Sequence, residues 1–174
     1  MTIAIKPTAS GSTIEQDGST ILTVDGSGNI TPSNNLYPKA PTFSAYLSAD
    51  QSVSSGVVTK IQFDTEEFDT NNNFDNATNY RFTPTVAGYY QINASLRSEG
   101  SSLSLTAFYL YKNGSLIFIP ALDTAHSSTT HISGSSLVYC NGTSDYIEIY
   151  GRVDGSSPKF GNNNCRFSGF LVSV

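Results

Sequence analysis

Apolar and polar positions alternate with the two-residue period of β-strands along most of the chain. In YYQINASL (89–96), one predicted face carries Tyr90, Ile92, Ala94 and Leu96. Further strand-like segments are VVTKIQF (57–63), LSLTAFYLYKNG (103–114), SLIFI (115–119), SSLVY (135–139), DYIEIYGRV (145–153) and CRFSGFLVSV (165–174). The i, i+3, i+4, i+7 apolar spacing of a helix is absent from the sequence. These patterns predict an all-β fold.

Turn-forming residues separate these segments. Asn113-Gly114 lies between two apolar runs and predicts a tight hairpin, because both central residues of a type I′ turn need positive φ. Strands that recur at about 10 to 15 residues with turn residues between them are typical of a β-sandwich or jelly roll.

Residues 1–36 have a different pattern. Single or paired apolar residues alternate with Gly, Ser, Asp and Asn; they are Ile14, Ile21, Leu22, Val24 and Ile30. So few apolar residues cannot bury a core of their own. We therefore expect an extended N-terminal β-arm that packs on something else, and these apolar residues are its candidate anchoring positions. Residues 37–42 are a predicted linker, because Pro38 and Pro41 favour extended backbone. The remaining 43–174 form the predicted head.

Charge and hydropathy exclude several functional classes. The net charge is −5, and the nine Lys and Arg residues form no cluster of the kind that binds nucleic acid. The N-terminus has no apolar run typical of a signal peptide, and no stretch approaches the length of a membrane span. We expect a protein that binds neither nucleic acid nor membrane.

Aromatic residues recur at fixed intervals between positions 63 and 90. The order is Phe63, Asp69, Phe74, Phe82, Gly88 and Tyr90. This spacing resembles the signature of the complement C1q globular head and the wider tumour-necrosis-factor-like group, F-x5-[ND]-x4-[FYWL]-x6-F-x5-G-x-Y-x-F-x-[FY]. The sequence departs from it in a longer gap between Phe74 and Phe82, and in Ile92 and Ala94, which replace aromatic residues.

Three further segments resemble strands of the same family. FSAYLS (43–48) resembles its first strand, YLYKNG (109–114) its middle hairpin and FSGFLVS (167–173) its last strand. The resemblance covers residues 43–174 and implies a C1q/TNF-like jelly-roll sandwich. The physical role expected of the signature aromatics is to fill the core, since each buries a large apolar area.

The resemblance also implies a homotrimer. Segments 103–111 and 146–150 carry apolar groups on both faces, and such strands are covered on both sides. We therefore expect a subunit interface that contains Tyr109, Tyr111, Tyr146 and Tyr150.

No constellation in the sequence indicates catalysis, a cofactor or a metal site. His126 and His131 lie in a Ser/Thr-rich segment without further ligands. The acids of DTEEFD (64–69) lack the spacing of a calcium loop, and this segment is expected to be a solvated acidic loop. Glu148 is expected to be an edge or outward-facing residue. Cys140 and Cys165 are expected to be reduced thiols that could be neighbours in a sheet. We expect a protein that is not an enzyme.

The arm resembles N-terminal segments of bacteriophage virion proteins. Together with the head, this resemblance implies a trimeric capsid decoration or head-fibre protein, made in the host cytoplasm and carried on the virion surface. The expected partners are the other copies and the major capsid protein of a phage shell. An alternative is the receptor-binding tip of a short tail fibre that recognises a host surface glycan or protein. A secreted ligand-binding head is a third.

Overall fold

The computed structural model describes residues 3–9, 11–32, 40–124 and 128–174. Within these ranges the chain consists of strands and turns without a helix, so the predicted all-β, C1q/TNF-like jelly-roll fold with N-terminal strands is confirmed. The chain divides into two compact units, Met1–Ala40 and Pro41–Val174. The predicted end of the arm at residue 36 and most of the linker 37–42 lie outside the described residues.

The N-terminal unit is an antiparallel sheet whose four strands follow one another in chain order. The strands are β1 (Ile3–Thr8), β2 (Gly11–Gln16), β3 (Ser19–Asp25) and β4 (Ile30–Pro32). Asp17 and Gly18, with φ of 48° and 84°, form the β2–β3 turn, as a two-residue hairpin loop requires. Ile21 lies at the register shift between β2 and β3, where Ile14 pairs with Leu22 and Glu15 with Thr20.

The head contains eleven strands arranged as a folded sheet. They are β5 (Thr42–Tyr46), β6 (Gln51–Ser52), β7 (Thr59–Lys60), β8 (Thr65–Asp69), β9 (Phe74–Asp75), β10 (Arg81–Phe82), β11 (Gly88–Lys112), β12 (Ser115–Asp123), β13 (Thr129–Cys140), β14 (Ile147–Phe160) and β15 (Arg166–Ser173).

The long strand β11 belongs to both layers of the sandwich. Its first half pairs with β13 and β15, and β15 continues to β5 and β8; we call this layer the first sheet. Its second half pairs with β12 and β14, and β14 continues to β7, β10 and β9; this layer is the second sheet. The sequence predicted two separate strands here. Instead, register shifts between Glu99 and Leu105 carry the chain across, with Ser102 at a φ of 51°.

The Asn113-Gly114 hairpin is confirmed. The two residues have φ of 53° and 73° and join β11 to β12, where Lys112 pairs with Ser115. The Asn113 side chain also donates to Asp145 at 2.7 Å and accepts from the backbone N–H of Tyr146 at 2.9 Å. The turn is therefore fixed against the start of β14.

The core lies between the two sheets of the head. Phe43 and Phe167 of the first sheet are almost completely buried, as are Phe108 and Ile149 of the second. Phe43 forms an aromatic cluster, with its ring centroid 4.3 Å from that of Phe82 and 4.9 Å from that of Phe167. The outward faces of both sheets are not part of this core.

Candidate interaction surface

The aromatic residues of the sequence signature lie in the head core. Phe63, Phe82 and Tyr90 are fully buried and Phe74 is 5% exposed. Phe74 stacks on Phe43 at 5.1 Å, and the Phe82 and Tyr90 rings meet edge to face at 5.4 Å. These rings thus hold the sandwich together and are not available to a ligand.

Asp69 of the signature closes the loop before β9. Its carboxylate accepts hydrogen bonds from the backbone N–H of Phe74 at 2.6 Å and of Asn71 at 3.1 Å. The loop contains Asn72 at a φ of 55°. A short side chain that accepts from nearby N–H groups stabilises such a turn, which explains why the signature requires Asp or Asn here.

Gly88 of the signature lies where a second backbone passes closely. A Cβ at this position would lie 2.4 Å from the carbonyl oxygen of Ser173 and 2.7 Å from Cδ1 of Leu171. Glycine is therefore required by close packing against β15. Tyr90, two residues later, donates from its hydroxyl to the carbonyl of Val86 at 2.7 Å, so this buried phenol is satisfied.

The four tyrosines proposed from the sequence for the trimer interface belong to the second sheet and the loop that leads into it. Tyr109 is only 8% exposed, while Tyr111, Tyr146 and Tyr150 are partly buried. The Tyr111 and Tyr150 rings lie 4.2 Å apart, and Arg81 lies 4.2 Å above the ring of Tyr146. All four are thus largely covered within a single chain, and their assignment to the trimer interface stays a prediction.

Glu148 corrects an expectation from the sequence. It is 3% exposed and not an edge or outward-facing residue. Its carboxylate forms an ion pair with Lys60 of β7, and it lies opposite Tyr111 in the pairing of β11 with β14. Lys60 also lies 5.8 Å from the ring centroid of Tyr150. Burial, aided by the Glu148 carboxylate, raises the pKa of Tyr150. The nearby lysine and tyrosines explain how this acid is accommodated in an apolar strand.

The outward face of the first sheet exposes a set of large apolar side chains. Its members come from β11, β13 and β15 and are Tyr89, Leu137, Tyr139, Phe170 and Val172; we call them the apolar face. Strand pairing brings them together, since Tyr89 lies opposite Tyr139, and Gln91 lies opposite both Leu137 and Phe170. The Tyr89 and Tyr139 rings are 5.3 Å apart. Clustered exposed apolar groups of this kind mark interaction surfaces.

Strand β12 adds a second exposed apolar set. Leu116, Ile117, Ile119 and Leu122 are each between 44% and 54% exposed. β12 pairs with β11 and is the last strand on that side of the second sheet along its described pairings. An edge strand with this many exposed aliphatic groups favours self-association unless a partner covers it.

The recesses on the head surface include two with volumes of about 400 Å³ or more. The first, of about 440 Å³, lies beside the apolar face and is lined mostly by small residues, among them Ala94, Ser133, Gly134 and Ser168, with Arg166. The second, of about 400 Å³, is polar and includes Glu66, Asp75 and Arg81. Burial, followed by the charges of Asp69 and Asp75, raises the pKa of Glu66.

The acidic segment 64–69 is largely a strand and not the solvated loop that the sequence indicated. Thr65–Asp69 pairs with β5, and its carboxylates have local partners. Glu67 accepts from Ser44 at 2.8 Å and pairs with Arg166 at 2.5 Å, while Asp64 accepts from the hydroxyl of Ser48 at 2.6 Å. Within the described residues no group of three or more His, Cys, Asp or Glu side chains could hold a metal ion.

His131 lies exposed on β13, opposite Arg97 in the pairing with β11. His126 lies outside the described residues. Cys140 and Cys165 are free thiols, not joined in a disulfide, and both are fully buried; burial raises the pKa of each thiol to about 11. Neither thiol is therefore placed to react at neutral pH.

No helix in the described ranges is long and apolar enough to cross a membrane.

Comparison with known proteins identifies the family to which the head belongs. The family model described as the C1q domain matches residues 42–172, and the chain belongs to this family. A search of curated proteins finds no match. Among solved structures, the globular domain of the zebrafish complement 1qA protein is 20% identical with a TM-score of 0.60, covering 77% of this chain and 98% of its own.

Two further solved structures are similar in fold at lower identity. Murine APRIL is 8% identical with a TM-score of 0.60, and covers 77% of this chain and 100% of its own. Eiger TNF from S. frugiperda is 7% identical with a TM-score of 0.58, and covers 77% of this chain and 92% of its own. At these identities the likeness is one of fold.

Proposed function

We propose that the chain is a non-enzymatic homotrimeric protein of the bacteriophage particle surface, serving as a capsid decoration or head-fibre protein. Its N-terminal unit anchors it to the major capsid protein, and its C1q-like head forms the trimer. It is made in the host cytoplasm and ends on the virion surface.

The observation that supports self-association is the apolar face of the first sheet. Tyr89, Leu137, Tyr139, Phe170 and Val172 are each about half exposed in a single chain. Domains of the C1q/TNF class are typically trimeric. A homotrimer covers this face with a second surface patch of a neighbouring copy, because an interface of threefold symmetry joins two different patches of the same chain.

The division of the chain supports separate roles for its two parts. The head matches the C1q domain without the first 41 residues, and Met1–Ala40 forms a compact unit of its own. That unit has the sequence pattern that resembles N-terminal segments of phage virion proteins. We therefore assign particle attachment to it, and trimerisation to the head.

Deletion of residues 1–36 tests this division. The truncated protein and the full chain are first compared by sedimentation, and both should be trimers. Each is then mixed with phage particles that lack the native protein, and occupancy on the shell is measured by electron microscopy. The full chain should decorate shells in many copies, and the truncated trimer should not. Equal occupancy would place the anchor in the head.

The second candidate is the receptor-binding tip of a short tail fibre. The observation that favours it is the polar recess with Glu66, Asp75 and Arg81, whose mixed charges suit a polar host ligand such as a glycan. The same experiment separates the two functions. If neither form binds shells, but both bind host cells, the tail-fibre function replaces capsid decoration.

A further inference from the structure

The N-terminal unit is a sheet with two chemically different faces. Side chains alternate across a strand, so the strand pairings assign each residue to a face. Ile5 pairs with Ile14, Ile14 with Leu22, and Val24 with Ile30. One face therefore carries Ile5, Pro7, Ile14, Leu22, Val24 and Ile30, together with the uncharged polar residues Ser12 and Gln16 of β2; we call it the inner face.

The opposite face is polar. Thr13 pairs with Lys6 on one side and with Thr23 on the other. Lys6 forms an ion pair with Glu15 at 2.5 Å, two residues along β2 from Thr13. No charged residue of the described strands lies on the inner face, since Lys6, Glu15 and Asp25 all belong to the polar face. We call this second side the outer face.

The described residues of the N-terminal unit form a single sheet, and none of them makes a second layer over the inner face. Ile5 is 71% and Ile30 64% exposed, and the central residues Ile14 and Leu22 are only partly buried. A single sheet of four short strands needs a second apolar layer to be stable in water. The unit is too small to provide that layer from its own chain.

We propose that the second layer is supplied by the same sheet from the other two copies of the trimer, so that three inner faces pack around the threefold axis. This inference rests on the proposed trimeric state of the head. Three copies joined to one trimeric head are held at a high effective concentration, because each N-terminal unit is tethered by a short connection. Packing of the inner face on the other two copies is therefore favoured over packing on a separate protein.

The dimensions of a four-stranded sheet agree with this closure. Four strands at a spacing of about 4.8 Å span roughly 14 to 19 Å. Three such sheets arranged as a triangle place each sheet about 4 to 5.5 Å from the central axis. Half of the usual separation between packed sheets is about 5 Å. One layer of side chains from each copy thus fills the interior, with Ile14 and Leu22 of the two central strands nearest the axis.

The same arrangement explains the polar outer face. In a closed three-sided prism, Lys6, Glu15 and Thr23 point to solvent or to another protein. Attachment to a phage shell then uses the outer face and not the inner aliphatic residues. The inner face thus serves self-association, and the outer face serves anchoring.

Disulfide trapping tests the proposal in the full chain. Ile14→Cys places a thiol on the inner face, and Thr13→Cys places one on the outer face of the same strand. The native Cys140 and Cys165 are fully buried and should not react. With a mild oxidant at low protein concentration, Ile14→Cys should give disulfide-linked dimers on a non-reducing gel, at several-fold higher yield than Thr13→Cys.

A protease experiment gives a second readout that does not depend on a new thiol. In the free wild-type trimer the N-terminal unit should resist limited proteolysis. Ile14→Asp should be cleaved there many-fold faster, whereas Thr13→Asp should behave as wild type, and all three should sediment as trimers.

The proposal is overturned if the wild-type trimer loses its N-terminal unit as fast as Ile14→Asp, or if the two cysteine variants cross-link equally. Either result, in a protein that sediments as a trimer, would rule out the packing of the inner faces but leave the proposed homotrimer standing. A wild-type chain that sediments as a monomer overturns the proposed homotrimer as well.

Discussion

The hydroxyl of Tyr90 donates a hydrogen bond of 2.7 Å to the carbonyl of Val86, four residues earlier. The ring is fully buried against Phe82, so the hydroxyl has no access to water as an alternative partner. This bond ties the start of β11 to the preceding turn. It also gives a physical reason for tyrosine, and not phenylalanine, at this position of the signature.

Tyr90→Phe should therefore lower the free energy of unfolding by about 1–2 kcal/mol, because the Val86 carbonyl loses its partner while the ring packing is kept. Urea unfolding followed by fluorescence measures the change. Tyr46→Phe is the matched control, since Tyr46 is partly exposed at the end of β5, its contact with Arg166 involves the ring, and the change in stability should be less than about 0.5 kcal/mol. Equal effects of the two substitutions would show that the bond contributes nothing.

Stability should fall at alkaline pH. Burial raises the pKa of Tyr90 to about 12 and the pKa of Cys140 and of Cys165 to about 11, above the ordinary values of 10.0 for tyrosine and 9.0 for cysteine. The folded state thus holds these protons more tightly than the unfolded chain. Their contribution is complete below pH 9 and is lost as the pH rises through 11 to 12.

Urea unfolding at a series of pH values from 7 to 11 measures this loss. The double variant with Cys140→Ala and Cys165→Ala should have a flatter profile between pH 9 and 11, because two of the three groups are removed. A wild-type profile that is level up to pH 11 would contradict the predicted linkage.

Phe82→Ala should be severely destabilising. The ring is fully buried and stacks on Phe43 at 4.3 Å, so its removal leaves a cavity between the two sheets. The expected loss is about 3–5 kcal/mol. Phe68→Ala is the control, since Phe68 is 51% exposed on β8. The Phe68 variant should melt close to wild type, and a Phe82 variant with an unchanged melting temperature would refute the assigned role.

The sequence predicts the parts of the head that depend on local chemistry. Alternation places Ile92 and Leu96 in the core, and Asn113-Gly114 specifies its hairpin because few other pairs accept positive φ twice. The continuity of β11 is not predictable in this way. Its crossing region contains Gly100 and Ser102, which are as common in turns as in bulges, and only pairing with β14 decides between them.

Long-range partners explain the other differences. Glu148 has no local signal of burial, because its partner Lys60 lies 88 residues earlier in the sequence. The apolar face was missed for a similar reason: Tyr89, Leu137 and Phe170 come from three strands that adjoin only in the folded sheet. The sequence pattern indicated Tyr109 instead, but this residue is only 8% exposed in a single chain.

The Glu148–Lys60 pair gives a prediction of its own. Lys60→Met should cost about 3 kcal/mol or more, because it leaves the buried Glu148 carboxylate without its cation. Glu148→Ala should cost less, because the Lys60 side chain is 29% exposed and also donates to the carbonyl of Asn79. The double variant should cost less than the sum of the two, as a double-mutant cycle measures. The exposed Arg166–Glu67 pair is the control, with an expected coupling of at most about 1 kcal/mol. Strict additivity at Glu148 and Lys60 would mean that the two residues act independently.

The last prediction concerns the apolar face and the oligomeric state. Leu137 is 55% exposed in a single chain and lies beside Tyr139 and Phe170 on the outward side of the first sheet. If the trimer buries this face, Leu137→Asp places a charge in an apolar interface without a partner, which is strongly unfavourable. The variant should sediment as a monomer at micromolar concentration, where the wild type is a trimer.

Val57→Asp is the matched control for this substitution. Val57 is 50% exposed and lies in the turn before β7, away from the residues of the apolar face. It introduces the same charge at a similarly exposed aliphatic position, and should leave the trimer intact. Circular dichroism should show that both variants keep the β-fold, because Leu137 is outside the core between the sheets. A Leu137→Asp protein that remains a trimer would place the interface elsewhere, with Tyr111 and Tyr150 of the second sheet as the next positions to test.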